Sequence, residues 1–105
     1  IDIANHIALD LKSKGCDLVI CLSHLGYEYK SNKVSDRILA KKTRNIHLII
    51  GGHTHTFLDK PTEEKNIDGN TVLINQVGWA GINIGRIDFT FEKKIFSKND
   101  LLLVE

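Results

Sequence analysis

The sequence predicts an α/β fold, carried by a parallel βαβ unit that leads into an antiparallel meander. Three observations predict it. Asp17-Leu18-Val19-Ile20-Cys21-Leu22 and Ile46-His47-Leu48-Ile49-Ile50 are short runs, apolar on both faces, as in strands covered on two sides. Between them Ser35 is a good N-cap for a helix over Asp36 to Arg44, with Ile38, Leu39 and Val34 on its apolar face. After Pro61 the pattern turns to alternation broken by turn residues.

The elements follow in order. Ile1, Ala4, Ile7, Ala8 and Leu11 recur at helical spacing, and Gly15 is the stop. The first strand leads into Ser23-His24-Leu25-Gly26 and a polar loop to Lys33, and the second breaks at Gly51-Gly52. Asp68-Gly69 is a hairpin turn before Thr71 to Ile74. Gly78 to Gly81 is a second turn, and Ile82 to Phe91 alternates as a strand with one solvated face. The tail from Glu92 has a lysine-rich turn and a last apolar run, Leu101 to Val104. Nothing in this layout covers both faces of a sheet, and open strand edges invite another chain to pair with them.

Composition narrows the function. The chain has 105 residues, net charge +1, and 42% hydrophobic and 26% charged residues, which describes one ordinary domain or a piece of one. Neither a basic excess nor a basic run is present, against a nucleic-acid polymer or a membrane surface as partner. No apolar stretch approaches the roughly 18 residues of a transmembrane segment, and Ile1 to Lys14 is amphipathic rather than a signal peptide. With no methionine anywhere, the chain is expected to be a piece of a longer polypeptide. Cys16 and Cys21 flank one strand, about 16 Å apart if extended and beyond the ~7 Å of a disulfide, so both are expected to be free, buried thiols.

His24, His53 and His55 carry the chemistry. Ligands of open α/β sheets bind outside the carboxyl ends of the strands, where His24 and His53 lie. Neighbouring parallel strands are about 4.8 Å apart, so side chains from these two loops can converge on one ion. In an extended segment His53 and His55 point to one side, roughly 6.7 Å apart, which suits two ions about 3.5–4 Å apart. A His-x-His pair alone is weak; the strand, Gly-Gly and second strand-end histidine make the pattern informative. His47, inside a strand, reads as a sheet residue, and Asp36 as a first-turn residue favoured by the helix dipole. Asn75, Gln76 and Trp79 can approach the site from the meander, with Trp79 read first as a packing residue.

Cys21-Leu22-Ser23-His24-Leu25-Gly26 and Ile49-Ile50-Gly51-Gly52-His53-Thr54-His55-Thr56 resemble the last two metal motifs of calcineurin-like metallophosphoesterases. The particular resemblance is to the 5′-nucleotidase branch, shared by Ser35-Asp36, Leu39-Ala40 and Gly78 to Gly85, and it covers nearly the whole chain. It implies that residues 1–105 are the C-terminal portion of a catalytic β-sandwich flanked by helices, with the N-terminal half absent. It implies that His24 and His53 bind one metal ion and His55 the other, the two ions being zinc, manganese or iron. It implies hydrolysis of phosphate esters, chiefly nucleoside 5′-phosphates, and a periplasmic or cell-surface location.

The departures matter as much. The family's Asp-x-His, Gly-Asp and Gly-Asn-His-Glu/Asp motifs are missing here, and Ala4-Asn5-His6 is a lookalike on a helix surface. Two cations facing three neutral imidazoles repel each other without a bridging carboxylate, so the isolated chain is expected to be inactive. It is also expected to self-associate. The rival is a non-catalytic module in which the three histidines and a water hold one tetrahedral zinc and open edges pair two copies.

Overall fold

The computed structural model describes residues 1–93 and 99–104. Its elements are α1 (Asp2–Ser13), β1 (Ile20–Leu22), α2 (Asp36–Lys42), β2 (Leu48–Ile50), β3 (Thr62–Lys65), β4 (Thr71–Asn75), β5 (Asp88–Lys93) and β6 (Asn99–Val104). The fold is mixed α/β, as the sequence predicts. The main sheet has the order β1-β2-β4-β3. β1 and β2 are parallel, with Cys21 beside Ile49, and α2 connects them.

The meander is only partly antiparallel. β3 and β4 form the hairpin around Asp68-Gly69, but β4 adds to β2 in parallel, with Ile49 beside Ile74. Asn66 shapes the turn by accepting the amides of Asp68 and Asn70 on its side-chain oxygen at 2.9 and 3.0 Å. The strand expected over Ile82 to Phe91 is shorter. Residues 82–87 are irregular, and β5 starts at Asp88 and pairs with β6 in a separate two-stranded ribbon. The Gly78–Gly81 turn, with left-handed φ of 80°, 60° and 68° at Gly78, Ala80 and Gly81, turns the chain off the main sheet. The final apolar run falls in β6; the lysine-rich turn after Glu92 falls largely on residues 94–98, outside the described residues.

Local sequence explains both helices. α1 ends in a Schellman motif: Gly15 takes φ 93°, its amide donates to Lys12 O, and the Cys16 amide donates to Leu11 O. Ser35 caps α2 by accepting the Ile38 amide at 3.3 Å. Asn5 is not a free helix-surface residue. Its amide donates to Lys42 O and its oxygen accepts the Arg44 amide, so α1 satisfies backbone groups that the end of α2 leaves open.

The core lies between these helices and one face of the sheet: Ala8, Leu39 and Ala40 pack with Val19, Ile46, Ile49, Val72 and Ile74. Each fully buried Ile or Val there contributes about 1.5–3 kcal/mol. The two-sided cover expected for both strands is not found among the described residues. Leu48 and Leu73 on the opposite face are buried, but Ile20, Leu22 and Ile50 are 44%, 81% and 44% exposed. Both helices sit on the first face, and Ile87 and Phe89 reach back only far enough to line a cavity of about 330 Å³ over Leu48 and Ile50. Both cysteines are free, but Cys16 is exposed rather than buried.

Candidate metal centre

Two loops leave the carboxyl ends of the adjacent parallel strands β1 and β2. The ladder continues just far enough to fix where each begins: the Ser23 amide donates to Ile50 O and the Gly51 amide to Asn75 O, both at 2.9 Å. His24 follows on the first loop and His53 on the second. Their rings meet edge to face with centroids 5.1 Å apart and planes inclined by 68°. Gly52 makes this approach possible, since a Cβ there would sit 3.3 Å from His24 Nδ1. The convergence expected from strand spacing is therefore present. Both rings are exposed.

The His-Thr-His segment is not extended. His53 and His55 both adopt left-handed φ, 69° and 53°, which costs about 1–2 kcal/mol for each non-glycine residue. The reason is the threonine between them. Thr54 turns inward, where its hydroxyl accepts the Tyr27 amide at 3.1 Å and lies 2.8 Å from the Thr56 hydroxyl. The buried Gln76 holds the same segment: its oxygen accepts the Thr56 amide at 2.5 Å and the Thr54 hydroxyl at 3.3 Å. His55 consequently turns away to stack on Trp79, with centroids 5.9 Å apart and planes within 9°. Trp79 is 57% exposed, so it is not a core packing residue. Asn75 ends β4 beside Gly51 and is half-buried.

His24 and His53 are thus brought together, and His55 stands apart from them on the indole. Among the described residues no group of three or more His, Cys, Asp or Glu side chains is placed to share one ion. The single zinc on three histidines required by the rival module has no such geometry here. The donor set fits a first-row transition ion in kind, because imidazole suits zinc, iron and manganese, but not in number. Among the described residues no carboxylate joins the rings to neutralise a second charge.

Asp36 is tied to the first of the two loops through Ser23. Asp36 is fully buried, a role that its position in a first helical turn does not explain. Its Oδ1 accepts the Ser23 hydroxyl at 2.5 Å, while Oδ2 has no partner among the described residues. Burial raises its pKa above the ordinary carboxylate range, opposed by the Ser23 hydroxyl. Burial and the Asp36 charge likewise raise the Cys21 thiol. Gln76 Nε2 is likewise buried without a partner among the described residues. Sequence reasoning placed Gln76 only loosely and read Asp36 as a first-turn residue favoured by the helix dipole, not as a buried one. The available signal was a polar residue directly after the buried strand β4, and an acidic one directly after the Ser35 N-cap of a short helix.

His47 lies just before β2 rather than inside it, but its backbone continues the sheet ladder. Its backbone bonds Val19 and Leu73, and its Nδ1 accepts the Val19 amide at 3.0 Å. Burial lowers its pKa below 6.5, and Lys12 acts in the same direction. The Val19 amide also needs an unprotonated Nδ1. Above pH 6.5 the group is neutral in both folded and unfolded chains and contributes nothing to pH dependence. As pH falls through 6.5 the unfolded chain gains a proton that the folded chain resists, so stability falls. Melting temperatures between about pH 7.5 and 5 should drop less for His47→Gln than for the parent; equal slopes would contradict this.

An α/β segment whose two adjacent parallel strands each present a histidine at the carboxyl end is the class defined by this fold and site. Its relatives are nucleotide phosphoesterases. The chain is 38% identical over 76 residues to the trifunctional nucleotide phosphoesterase protein YfkN of Bacillus subtilis, covering 72% of this chain and 5% of that protein. It is 29% identical over 96 residues to the 5′-nucleotidase of Diplobatis ommata, covering 79% of this chain and 16% of that protein. The crystal structure of the 5′-nucleotidase precursor from Thermus thermophilus superposes with a TM-score of 0.75 at 31% identity, over 95% of this chain and 22% of that one. No family model matches the chain. The chain belongs to the 5′-nucleotidase branch of the calcineurin-like metallophosphoesterases. It spans between 5% and 22% of the length of these relatives.

Proposed function

We propose that this chain supplies the histidine half of a two-metal phosphoesterase site and that the protein carrying it hydrolyses nucleoside 5′-phosphates. The observation that carries this reading is the 5.1 Å meeting of the His24 and His53 rings at the ends of β1 and β2. In this reading residues 1–105 are the C-terminal portion of the catalytic domain. The remaining ligands, a bridging carboxylate among them, come from the half that this chain lacks. His24 and His53 hold one ion, and His55 holds the second after leaving Trp79. Zinc, manganese or iron suits these imidazoles. Two such ions, when bound, supply a hydroxide near neutral pH and offset charge on the phosphoryl oxygens. The chain's own contribution is to set the direction of approach of the imidazoles, from two loops fixed to one sheet. Asn75 and Trp79 flank the same rim and are the candidates for touching substrate. Among the described residues no helix is long and apolar enough to cross a membrane. A periplasmic or cell-surface location follows the family.

Phosphate release from AMP tests the reading. The full-length protein should release phosphate with zinc or manganese and lose this on chelation, whereas this polypeptide alone should release none. Metal-dependent release by the isolated chain, absent in His53→Ala, would mean that a complete site forms here. A metal-independent full-length enzyme would end the two-metal reading.

The incomplete cover of the sheet has its own consequence. Ile20 and Leu22 on the edge strand β1 and Ile50 beside them on β2 form an exposed apolar strip, and the isolated chain should associate through it. Light scattering should find dimers or larger species that Leu22→Lys reduces. A monomer at every working concentration would refute this.

A further inference from the structure

We propose that Asp36 and Gln76 are positioning residues for the metal ligands, each holding one ligand-bearing loop from beneath; this rests on the metal reading above. Asp36 acts on His24 through one bond. Its Oδ1 fixes the Ser23 hydroxyl, which in turn accepts the Leu25 amide at 3.2 Å, so both neighbours of His24 in the chain are held by one network. Gln76 acts on the other loop. Its single oxygen takes both the Thr56 amide and the Thr54 hydroxyl, and thereby holds the threonines that alternate with His53 and His55. Those two histidines keep unfavourable left-handed φ, and such a backbone persists only where its surroundings over-determine it.

Both residues approach Gly51. A Cβ on Gly51 would collide with Asp36 Oδ2 and lie 3.3 Å from Gln76 Nε2, so the bare glycine is what lets both side chains reach the loops. Each of them leaves its second polar atom buried without a partner among the described residues. Orphaned polar atoms destabilise a fold. An apolar pair would fill the same space at lower cost, and what it could not do is fix Ser23, Thr54 and Thr56. Outer groups of this kind typically change metal affinity about 10- to 100-fold when removed.

Cobalt(II) titration of the metal-freed full-length protein, followed by visible absorption, tests the proposal. Ser23 is only half-buried and is the safest position to change. Ser23→Ala and Gln76→Leu should each weaken cobalt binding about 10- to 100-fold and shift its absorption bands. Ser23→Thr, which keeps the hydroxyl, should restore parental affinity. Melting of the metal-free proteins reports folding separately; if Gln76→Leu does not fold, the Ser23 pair decides alone. Parental affinity and spectrum in Ser23→Ala, with binding lost in His53→Ala, would overturn the positioning role while leaving the metal reading intact. A parent protein that binds no cobalt would bring down the metal reading, and this proposal with it.

Discussion

His53→Gly in the full-length protein should lower AMP hydrolysis by about 10²–10³-fold or more, the cost of removing a group that stabilises developing charge, while making the folded chain no less stable. The two halves of this expectation come from different atoms. The imidazole is exposed, touches the His24 ring and makes no hydrogen bond within the described structure, so its removal costs the core nothing. The backbone beneath it sits at φ 69°, where glycine is at ease and histidine is not. Relief of that strain offsets the added freedom of the unfolded chain, and a net gain of up to about 1 kcal/mol is expected. His53→Asn tolerates the left-handed backbone and should lose activity similarly, whereas His53→Ala adds a conformational cost. Steady-state AMP hydrolysis and thermal denaturation on the same three variants check both halves. His6→Ala, on the exposed face of α1, should leave both unchanged. Activity within about twofold of the parent in His53→Gly would remove His53 from the site, given the far larger loss expected of a charge-stabilising group. A marked loss of stability would show that its ring supports the loop.

How far the sequence foretold this arrangement depends on whether a residue's role is local. The βαβ unit was legible because apolar runs of five or six residues and a serine N-cap are local patterns. The meeting of His24 and His53 was legible too, since parallel neighbours end at the same height and both histidines follow within three residues. What was not legible depends on partners far along the chain. His55 seemed to point the same way as His53 because alternation assumes an extended backbone. Tyr27 and Gln76, 27 and 22 residues from Thr54, pull that threonine inward and reverse the expectation. Asn5 looked like surface, yet it closes the end of α2 some 39 residues away. The strands looked doubly covered because apolar composition on both faces does not say which elements pack on each. The described residues place both helices on one face, leaving Ile20 and Leu22 open.

Gly51→Ala should destabilise the chain by about 3 kcal/mol, at the upper end of overpacking costs, and lower Tm by on the order of 10 °C. Neither φ nor a turn is the reason; the added methyl meets Asp36 Oδ2 head-on and stands 3.2 Å from its Cγ. Asp36 cannot step aside. Its side chain is fully buried, Ser23 holds Oδ1, and its amide is tied to Gly26 O at 2.8 Å at the start of α2. The collision is therefore relieved only by moving the helix or breaking the Ser23 bond. A double-mutant cycle isolates this cause. In an Asp36→Ala background the same Gly51→Ala change should cost less than about 1 kcal/mol, a coupling of roughly 2 kcal/mol between two groups in contact. Additive costs would mean that Gly51 is needed for something other than room for Asp36. The neighbouring glycine makes the contrast. A methyl on Gly52 meets no buried group, only His24 Nδ1 at 3.3 Å and atoms at 3.8 Å, so an exposed ring has to tilt and the core does not. Gly52→Ala should then melt near the parent and, in the metal reading proposed above, lose cobalt affinity, whereas Gly51→Ala loses stability first, because one glycine makes room for the His24 ring and the other for the Asp36 side chain that bonds Ser23.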